Sequence, residues 1–395
     1  MGYILIVTAV YLPEPVVSAR ISEDLYQSLK REGHAVKILH PAPSRPNGFG
    51  FGKNIQYGVD EVVTDSFTCP QSSLLGRFKE SYSFGKACSQ YIKEHYKEIS
   101  AIYANAWPMP SQHMIVKSAS KYGIPVIMHV QDVYPESLSN KLPSRMGYLM
   151  QKALLPYDRK TLAGSSRVVA ISEKMKRHLV ETRGLDADKI SVVINWQDES
   201  EFLDYQKQND NSTHDIFTFM YMGNIGPVAG VDLLIDAFSH IDLPNTRLVI
   251  AGSGSMKDSL IEKAKNNSKI EFWDVPNGKV PEIQSKTDVM LLPIKKGAAS
   301  SSIPSKLPAY MFSAKPIIGC MDADSDTEEA IRESRGGYVI EPENPQALSD
   351  MMRKMVSMKS EALNAMGLSA QQYALSHFSK KANLEKLVQV VESVL

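Results

Sequence analysis

The chain has 395 residues with 44 basic and 44 acidic side chains, so its net charge gives no reason to expect nucleic acid as a partner. This length exceeds what one ordinary core supports and predicts two domains. Three cysteines without short spacing argue against a disulfide framework or a zinc site and fit a reducing cytoplasm. Without a signal peptide or a long apolar run, the sequence predicts a cytoplasmic protein with no membrane-spanning segment.

The first part of the chain has the pattern of a strand, a loop, a helix and a second strand. Residues 3–9 form a continuous apolar run, which is typical of a buried parallel strand. Apolar residues then recur at helical spacing until Gly33 ends the pattern. Ser18 and Arg20 lie where the loop meets this helix, and we identify both as candidate acceptor-binding residues that would meet an anion. An ordinary solvated helix position is the alternative for Arg20.

Polar residues also follow a predicted buried strand at residues 125–130. Gln131, Asp132 and Glu136 are placed at the carboxyl edge of the predicted sheet, where ligands bind in open α/β folds. We identify Asp132 and Gln131 as candidate catalytic residues and Glu136 as a candidate acceptor-binding residue. A turn or helix-capping role would explain Asp132 equally well.

Residues 145–162 mix basic side chains with methionine, leucine and tyrosine at helical spacing. A basic amphipathic helix of this kind is able to lie in the headgroup layer of a membrane. A helix that faces the core of its own domain has the same pattern. The sequence therefore leaves peripheral contact with the inner face of the cytoplasmic membrane open.

The apolar content falls over residues 198–214, after which the pattern of strands and helices starts again. We therefore predict an N-terminal domain at residues 1–199, a linker at 200–214 and a C-terminal domain at 215–375. For residues 376–395 we predict a helix that packs back on the N-terminal domain.

Glycine turns follow the first two predicted strands of the second half. Gly223 and Asn224 come after one strand, and Gly252 and Gly254 come after the next. Because such turns present bare backbone N–H groups, we identify all four as candidate ligand-binding residues. The third glycine of the dinucleotide fingerprint is missing, so the turns do not predict a nicotinamide site.

The segment after the predicted strand at residues 289–294 has the features of a phosphate-binding connection. Its loop consists of glycine, alanine and serine as far as Ser302, and a helix begins near Ser305 with Lys306 in its first turn. Ser305 has a side chain suited to the N-cap. Since exposed N–H groups and an ammonium would converge there, we predict that Ser302, Ser305 and Lys306 bind a phosphate. An ordinary connection between strand and helix is the alternative.

Three aspartates, Asp322, Asp324 and Asp326, stand at alternate positions after the next strand. A calcium loop needs a glycine at its sixth position, which is Thr327 here, and Asp326 is placed to cap a helix. We therefore predict no metal site and no cofactor.

In their order and spacing, these segments resemble the GT-B glycosyltransferases. The resemblance is strongest to the family four enzymes of bacterial surface polysaccharides, which include fucose- and fucosamine-transferring enzymes of O-antigen and colanic acid synthesis, and it covers the whole chain. It is carried by PEPVVSAR at 13–20, QDVYPES at 131–137, YMGNIG at 221–226, AGSG at 251–254, SIPSKL at 302–307, AKPII at 314–318 and MDADSD at 321–326.

The resemblance implies two Rossmann-like, doubly wound domains that face each other across a cleft. It also implies transfer of a sugar from a UDP- or GDP-linked donor, bound by the second domain, to a glycan or lipid-linked acceptor bound by the first. Retention at the anomeric carbon, independence of metal and a role in lipopolysaccharide or capsule synthesis belong to this expectation. A UDP-sugar epimerase of the same fold and an inactive sugar-nucleotide-binding protein are the alternatives.

The sequence departs from the family pattern in several places. Two glutamates separated by seven residues are common in the family, and their positions are Ser301 and Ala309 here. The histidine that often precedes the aspartate of the fourth-strand loop is Gln131, and no basic residue follows the turn at Gly223. Relatives with the Pro-Ser-Lys-Leu segment also tend to lack the glutamate pair, so we interpret the departures as those of a subfamily.

Overall fold

The computed structural model describes residues 2–45, 55–69, 73–105, 109–139, 142–209, 215–227, 229–276, 278–297 and 303–395. The chain forms two compact units. The first consists of the residues up to Asn195 together with Asn383–Leu395, and the second is Trp196–Ala382.

The first unit is a parallel sheet with helices packed on it. Its strands are β1 (Tyr3–Thr8), β2 (Val36–Pro41), β3 (Glu61–Thr64), β4 (Ile99–Asn105), β5 (Val126–Val130), β6 (Arg167–Ala170) and β7 (Ile190–Val192). Its helices are α1 (Val17–Arg31), α2 (Leu74–His95), α3 (Pro110–Lys121), α4 (Glu136–Ser139), α5 (Ser144–Gly164) and α6 (Glu173–Arg183), with a 3-10 turn at Ala187–Lys189. The strand order is β3-β2-β1-β4-β5-β6-β7, and every pair is parallel.

The sequence explains why these segments take up their positions. All six residues of β1 are buried, as expected for a central strand with helices on both faces. In α1 the buried residues Ile21, Leu25 and Leu29 form one stripe, and Gly33, with φ +91°, follows its end. The predicted strand, helix and strand at the start of the chain are therefore confirmed.

The last helix of the chain, α15 (Lys380–Glu392), contributes most of its length to the first unit. Its stripe of Leu384, Leu387, Val388 and Val391 is buried. At its end, Glu392 Oε1 lies 2.9 Å from His34 Nε2, in the turn after α1. The first unit is thus assembled from two separate parts of the chain.

The second unit is also a parallel sheet with helices. Its strands are β8 (Phe217–Met222), β9 (Thr246–Ala251), β10 (Ile270–Trp273), β11 (Val289–Pro293), β12 (Ile317–Cys320) and β13 (Gly337–Ile340). Its helices are α7 (Ser200–Gln208), α8 (Val231–Ser239), α9 (Lys257–Ala264), α10 (Val280–Ser285), α11 (Lys306–Phe312), α12 (Asp326–Glu333), α13 (Pro345–Ser357) and α14 (Ser360–His377). The order β10-β9-β8-β11-β12-β13 confirms a second doubly wound domain.

One predicted segment differs from the structure. Residues 200–208, which the sequence analysis places in a linker, form α7 and belong to the second unit. Phe202 is buried in this helix, and its ring lies 5.9 Å from that of Phe312. The low apolar content of the segment hid this packing, because one buried aromatic side chain is enough to dock a short helix. Asn209 follows the helix as its C-cap, and residues 210–214 of the predicted linker lie outside the described residues.

The helices of the described ranges differ in length and in apolar content. None of these combines the length and the apolar content that a membrane crossing needs.

Candidate functional site

Each sheet has one place where the direction of the strand order reverses. In the first unit this is between β1 and β4, and in the second it is between β8 and β11. The connections there leave towards opposite faces and open a crevice at the carboxyl ends of the strands. The predicted residues of both units follow strands at or near these two positions.

In the second unit, the glycine turns after β8 and β9 stack closely on each other. The N–H of Ile225 donates to the carbonyl of Ser253 over 2.8 Å. A Cβ atom on Gly252 would lie 2.2 Å from the carbonyl oxygen of Gly223, and one on Gly254 would lie 2.3 Å from that of Ile225. Only glycine allows the two turns to approach in this way.

Lys306 lies across the first of these turns. A Cβ atom on Gly223 would be 2.2 Å from Cε of Lys306, and the ammonium is 5.3 Å from the ring centroid of Tyr221. One helical turn further on, the hydroxyl of Tyr310 donates to the carbonyl of Met222 over 2.8 Å and accepts from its N–H over 2.9 Å. Because residues four apart share a helix face, this tether fixes Lys306 over the end of β8.

The Lys306 ammonium is half-buried, and burial lowers its pKa. Within the described residues, no carboxylate forms an ion pair with it. The prediction of bare N–H groups is wrong for two of the glycines, because the N–H of Gly223 donates to the carbonyl of Ala251 and that of Gly252 to the carbonyl of Trp273, over 2.9 Å each. The attraction for an anion at this position therefore comes from the partly desolvated cation.

The other predicted residues of the second unit lie in surroundings different from those of Lys306. Ser305 occupies the N-cap position of α11, as predicted, but it is exposed and its side chain makes no capping hydrogen bond. The helix has only seven residues, and its dipole is correspondingly weak. Asn224 is exposed, and its carbonyl accepts from the hydroxyl of Tyr221 over 2.6 Å. Ser302 lies outside the described residues.

The first aspartate after β12, Asp322, has a local structural partner. Asp322 Oδ2 accepts a hydrogen bond of 2.6 Å from the N–H of Gly297. It therefore ties the connection after β11 to the end of β12. The N-cap of α12 is Ser325, whose side chain accepts from the N–H of Glu328, and not Asp326 as the sequence suggested.

A cavity of about 330 Å³ lies beside the carboxyl end of β11 in the same unit. Its lining includes Gly230, Asp232, Lys295 and Glu343. Lys306 and the predicted glycines are not among its lining residues. The cavity and the predicted anion position are therefore different places on the second unit.

In the first unit, Gln131 is held between two side chains at the carboxyl end of β5. Its amide nitrogen lies 3.0 Å from Nε2 of His129, and its carbonyl oxygen accepts from Asn195 over 2.7 Å. The other ring nitrogen of His129 lies 2.5 Å from the hydroxyl of Tyr103. Burial lowers the pKa of His129 to about 3, so its imidazole is neutral. Gln131 is therefore oriented by a fixed, uncharged network.

Sequence analysis missed two amides at this edge. Among the described residues, Nδ2 of Asn105 and Oδ1 of Asn195 are buried atoms without a hydrogen-bond partner. Asn105 ends β4, one of the strands that border the crevice. A buried unpaired amide costs about 1–3 kcal/mol, so its retention needs a reason. Both asparagines stand at or just after the end of a strand, and this position was the sequence signal that could have identified them.

Asp132 and Glu136 have different surroundings despite their proximity in sequence. Asp132 is exposed at the carboxyl edge of the sheet. Glu136 bonds to Arg183 and His178. Burial opposes its ionisation, but these hydrogen bonds outweigh that effect and lower the pKa of Glu136 to about 2. The predicted acceptor-binding role of Glu136 thus competes with an internal ion pair.

Ser18 and Arg20 lie in the first turn of α1, as expected. No side chain caps this helix at Val16, and Arg20 is exposed. Ser22, one turn after Ser18, donates to Oγ1 of Thr8 over 3.1 Å and fixes the helix on the end of β1. The start of α1 is therefore at the switch position between β1 and β4.

Comparison with family models finds one match in the first half of the chain and one in the second. Residues 18–201 match the model described as Glycosyltransferase Family 4. Residues 216–358 match the model described as Glycosyl transferases group 1.

Three similar proteins illustrate the same relationship. The putative colanic acid biosynthesis glycosyl transferase WcaI of Escherichia coli K12 is 23% identical over 86% of this chain and 88% of its own length. The probable glycosyltransferase WbjE of Pseudomonas aeruginosa is 21% identical over 69% of each chain. The crystal structure of Anabaena Alr3699/HepE in complex with UDP has a TM-score of 0.65 at 14% identity, over 99% of this chain and 100% of that one. The structural likeness shows the GT-B fold.

Proposed function

Because this chain is a glycosyltransferase in which a Family 4 domain precedes a group 1 domain, we propose that it transfers a sugar from a nucleotide-diphosphate donor to a glycan or lipid-linked acceptor. The name of WcaI, a putative colanic acid biosynthesis glycosyl transferase, supports a place in bacterial surface-polysaccharide synthesis. A fucose or fucosamine donor would fit the subfamily that the sequence resembles.

The observation that carries this proposal is the half-buried ammonium of Lys306 over Gly223. In the transfer, the bond between the anomeric carbon and the diphosphate breaks and the leaving group gains negative charge. A fixed cation stabilises this charge without reorganising during the reaction. The glycines Gly223, Gly252 and Gly254 allow the two turns and the lysine chain to pack closely enough to present this cation. Ser302, Ser305 and Asn224 supply further polar groups in this proposal. The UDP complex of HepE supports a nucleotide donor by analogy.

The first unit supplies the acceptor side in this proposal. The acceptor hydroxyl loses its proton as its oxygen bonds to the anomeric carbon, and either the departing diphosphate or Asp132 accepts that proton. Gln131, fixed by His129 and Asn195, orients the sugar through its amide. Ser18 and Arg20, at the uncapped start of α1, bind an anionic group of the acceptor.

We further propose that the reaction retains the anomeric configuration and needs no metal. Lys306 takes the role that a divalent cation has in other sugar transferases, and Asp322 already accepts the N–H of Gly297. Initial rates with and without EDTA test this point. Equal rates support it, whereas strong inhibition that Mg²⁺ or Mn²⁺ reverses would assign the aspartates a metal.

Peripheral contact with the inner face of the cytoplasmic membrane completes the proposal. On α2, Leu75, Phe78 and Tyr82 share one helix face and are 86%, 61% and 52% exposed. Near the start of α5, Met146, Tyr148 and Leu149 are also exposed and follow Arg145. Apolar side chains next to basic ones suit an anionic lipid surface, where a lipid-linked acceptor would be presented.

The decisive experiment incubates the protein with UDP- and GDP-sugars, with and without a polyprenyl-diphosphate-linked glycan acceptor. Transfer that requires the acceptor supports the proposal, and product stereochemistry tests retention. Conversion of a UDP-sugar without acceptor would instead identify an epimerase. Binding of donors without either reaction would indicate an inactive sugar-nucleotide-binding protein.

A further inference from the structure

Arg183, the last residue of α6, is an arginine whose side chain is fully buried and whose five guanidinium N–H groups all have acceptors. Its Nε–H donates to Asp158 over 2.8 Å, and Nη1 donates to Glu136 and to the hydroxyl of Thr182. Nη2 donates to the second oxygen of Glu136 over 2.7 Å and to the carbonyl of Tyr134 over 2.6 Å. Such complete use of a buried charge restricts the position of every partner.

These partners come from two places in the first unit. Apart from Thr182, which precedes Arg183 on α6, they are Asp158 of α5 and the segment after β5, where Tyr134 lies in the connection and Glu136 begins α4. That connection, residues 131–136, also carries Gln131 and Asp132. Gln131 is held at its start by His129 and Asn195, and Arg183 holds its end. Asp132 therefore lies in a short segment that hydrogen bonds hold at both ends.

The chemistry of the guanidinium explains why another residue would not serve. Its planar fork bonds both oxygens of Glu136 while Nη2 also reaches a backbone carbonyl. A lysine ammonium has three donors where the guanidinium has five, so it would leave some of the acceptors of Glu136, Asp158 and Tyr134 without a partner. An apolar residue could fill the same space, since buried ion pairs add little net stability over well-packed apolar groups. The hydrogen bonds of Arg183 therefore determine where its partners lie more than they raise the free energy of unfolding.

We propose that Arg183 is a positioning residue that sets the placement of Gln131 and Asp132 for the acceptor, acting through Tyr134 and Glu136. This inference rests on the proposed transferase function. Because the donor is assigned to the second unit, loss of Arg183 affects the acceptor step and leaves nucleotide binding unchanged.

The test compares Arg183→Lys and Arg183→Ala with Arg177→Ala, which removes an exposed arginine from the same helix. For Arg183→Lys we expect at least a tenfold loss in kcat/KM for the acceptor, with UDP affinity measured by calorimetry within twofold of the wild type. Millimolar guanidinium chloride, but not sodium chloride, restores part of the rate of Arg183→Ala. The Arg177→Ala control keeps the wild-type rate. A kcat/KM for the acceptor that Arg183→Lys leaves unchanged, or an equal loss in UDP affinity, would overturn the inference.

Hydrogen exchange separates this inference from the proposed function. If Arg183 positions the connection, amides of residues 131–137 exchange at least tenfold faster in Arg183→Lys, while those of β1 and β4 do not change. Unchanged exchange at 131–137 rejects the positioning role whatever the activity. A wild-type protein without transferase activity but with this local change rejects only the proposed function. If Arg183→Ala does not fold, Arg183→Lys, which keeps the charge, still decides the outcome.

Discussion

The Cε atom of Lys306 lies in the space that a side chain at Gly223 would occupy, 2.2 Å from the position of its Cβ atom. The glycine therefore does more than form a turn, because it leaves room for the lysine chain to cross the end of β8. Tyr310 holds the helix in this register through both backbone groups of Met222. This relationship leads to the first three predictions.

Replacing Lys306 by alanine should lower kcat by about 10²–10³-fold, because the leaving diphosphate loses its fixed cation. The melting temperature should not fall, since the ammonium has no ion-pair partner among the described residues. Lys315→Ala is the matched control: burial also lowers the pKa of that lysine, but it donates to the carbonyl of Ser285. A kcat for Lys306→Ala close to that of Lys315→Ala would remove the anion site from the mechanism.

Gly223→Ala should reduce the rate more than the stability. Its Cβ meets the flexible end of Lys306, which moves aside and leaves its position. Gly252→Ala should show the reverse, with a loss of about 1–3 kcal/mol in unfolding free energy, because its Cβ meets the rigid carbonyl of Gly223. Gly278→Ala, with φ +74° and no atom within 4 Å, shows the cost of a positive φ without a collision. The φ angles of +149° at Gly223 and +131° at Gly252 add backbone strain to both turn variants. Urea denaturation and initial rates measure both effects, and equal rates for Gly223→Ala and Gly278→Ala would contradict this account.

The lowered pKa of Lys306 has a consequence for the pH profile. In the free enzyme the ammonium loses its proton below the ordinary value of 10.5, so kcat/KM for the donor should decline on the alkaline side earlier than an unperturbed lysine allows. Lys306→Arg keeps its charge to higher pH and should move this decline upwards, even if its plateau is lower. A profile that is identical in the two proteins would show that another group titrates.

Membrane contact predicts that the protein sediments with vesicles that contain anionic lipid. Phe78→Glu and Leu149→Glu should each lower the bound fraction by about fivefold or more, because a carboxylate opposes burial in an anionic headgroup layer. Leu368→Glu changes a residue that is 52% exposed on α14 of the second unit and should have no effect. Binding that all three substitutions reduce equally would argue against the surfaces on α2 and α5.

Local pattern accounted for most of the fold. Helices such as α1 and strands such as β1 are defined by periodicity that needs only near neighbours in sequence. The glycine turns were likewise predictable, because their conformations exclude other residues. By contrast, the packing of α7 depends on Phe202 and Phe312, which are far apart in sequence.

The candidate site was less predictable because its polar residues find partners through the fold. Glu136 meets Arg183, 47 positions later, and this pairing has no local signature. The two unpaired amide atoms, Nδ2 of Asn105 and Oδ1 of Asn195, are visible only once burial is known. Lys306 could be selected from sequence, since its loop and helix are contiguous, but its contact with Gly223 could not.

Because two separate segments of the chain form the first unit, the ribosome finishes this unit after the second. The ribosome makes every residue of the second unit before it reaches Asn383–Leu395, the final part of the first. The nascent chain must therefore carry an unfinished first unit, with the positions that Leu387 and Val391 fill still vacant, while the second is already able to fold. A premature stop after residue 382 would leave the second unit intact and remove part of the first, although the first is translated earlier.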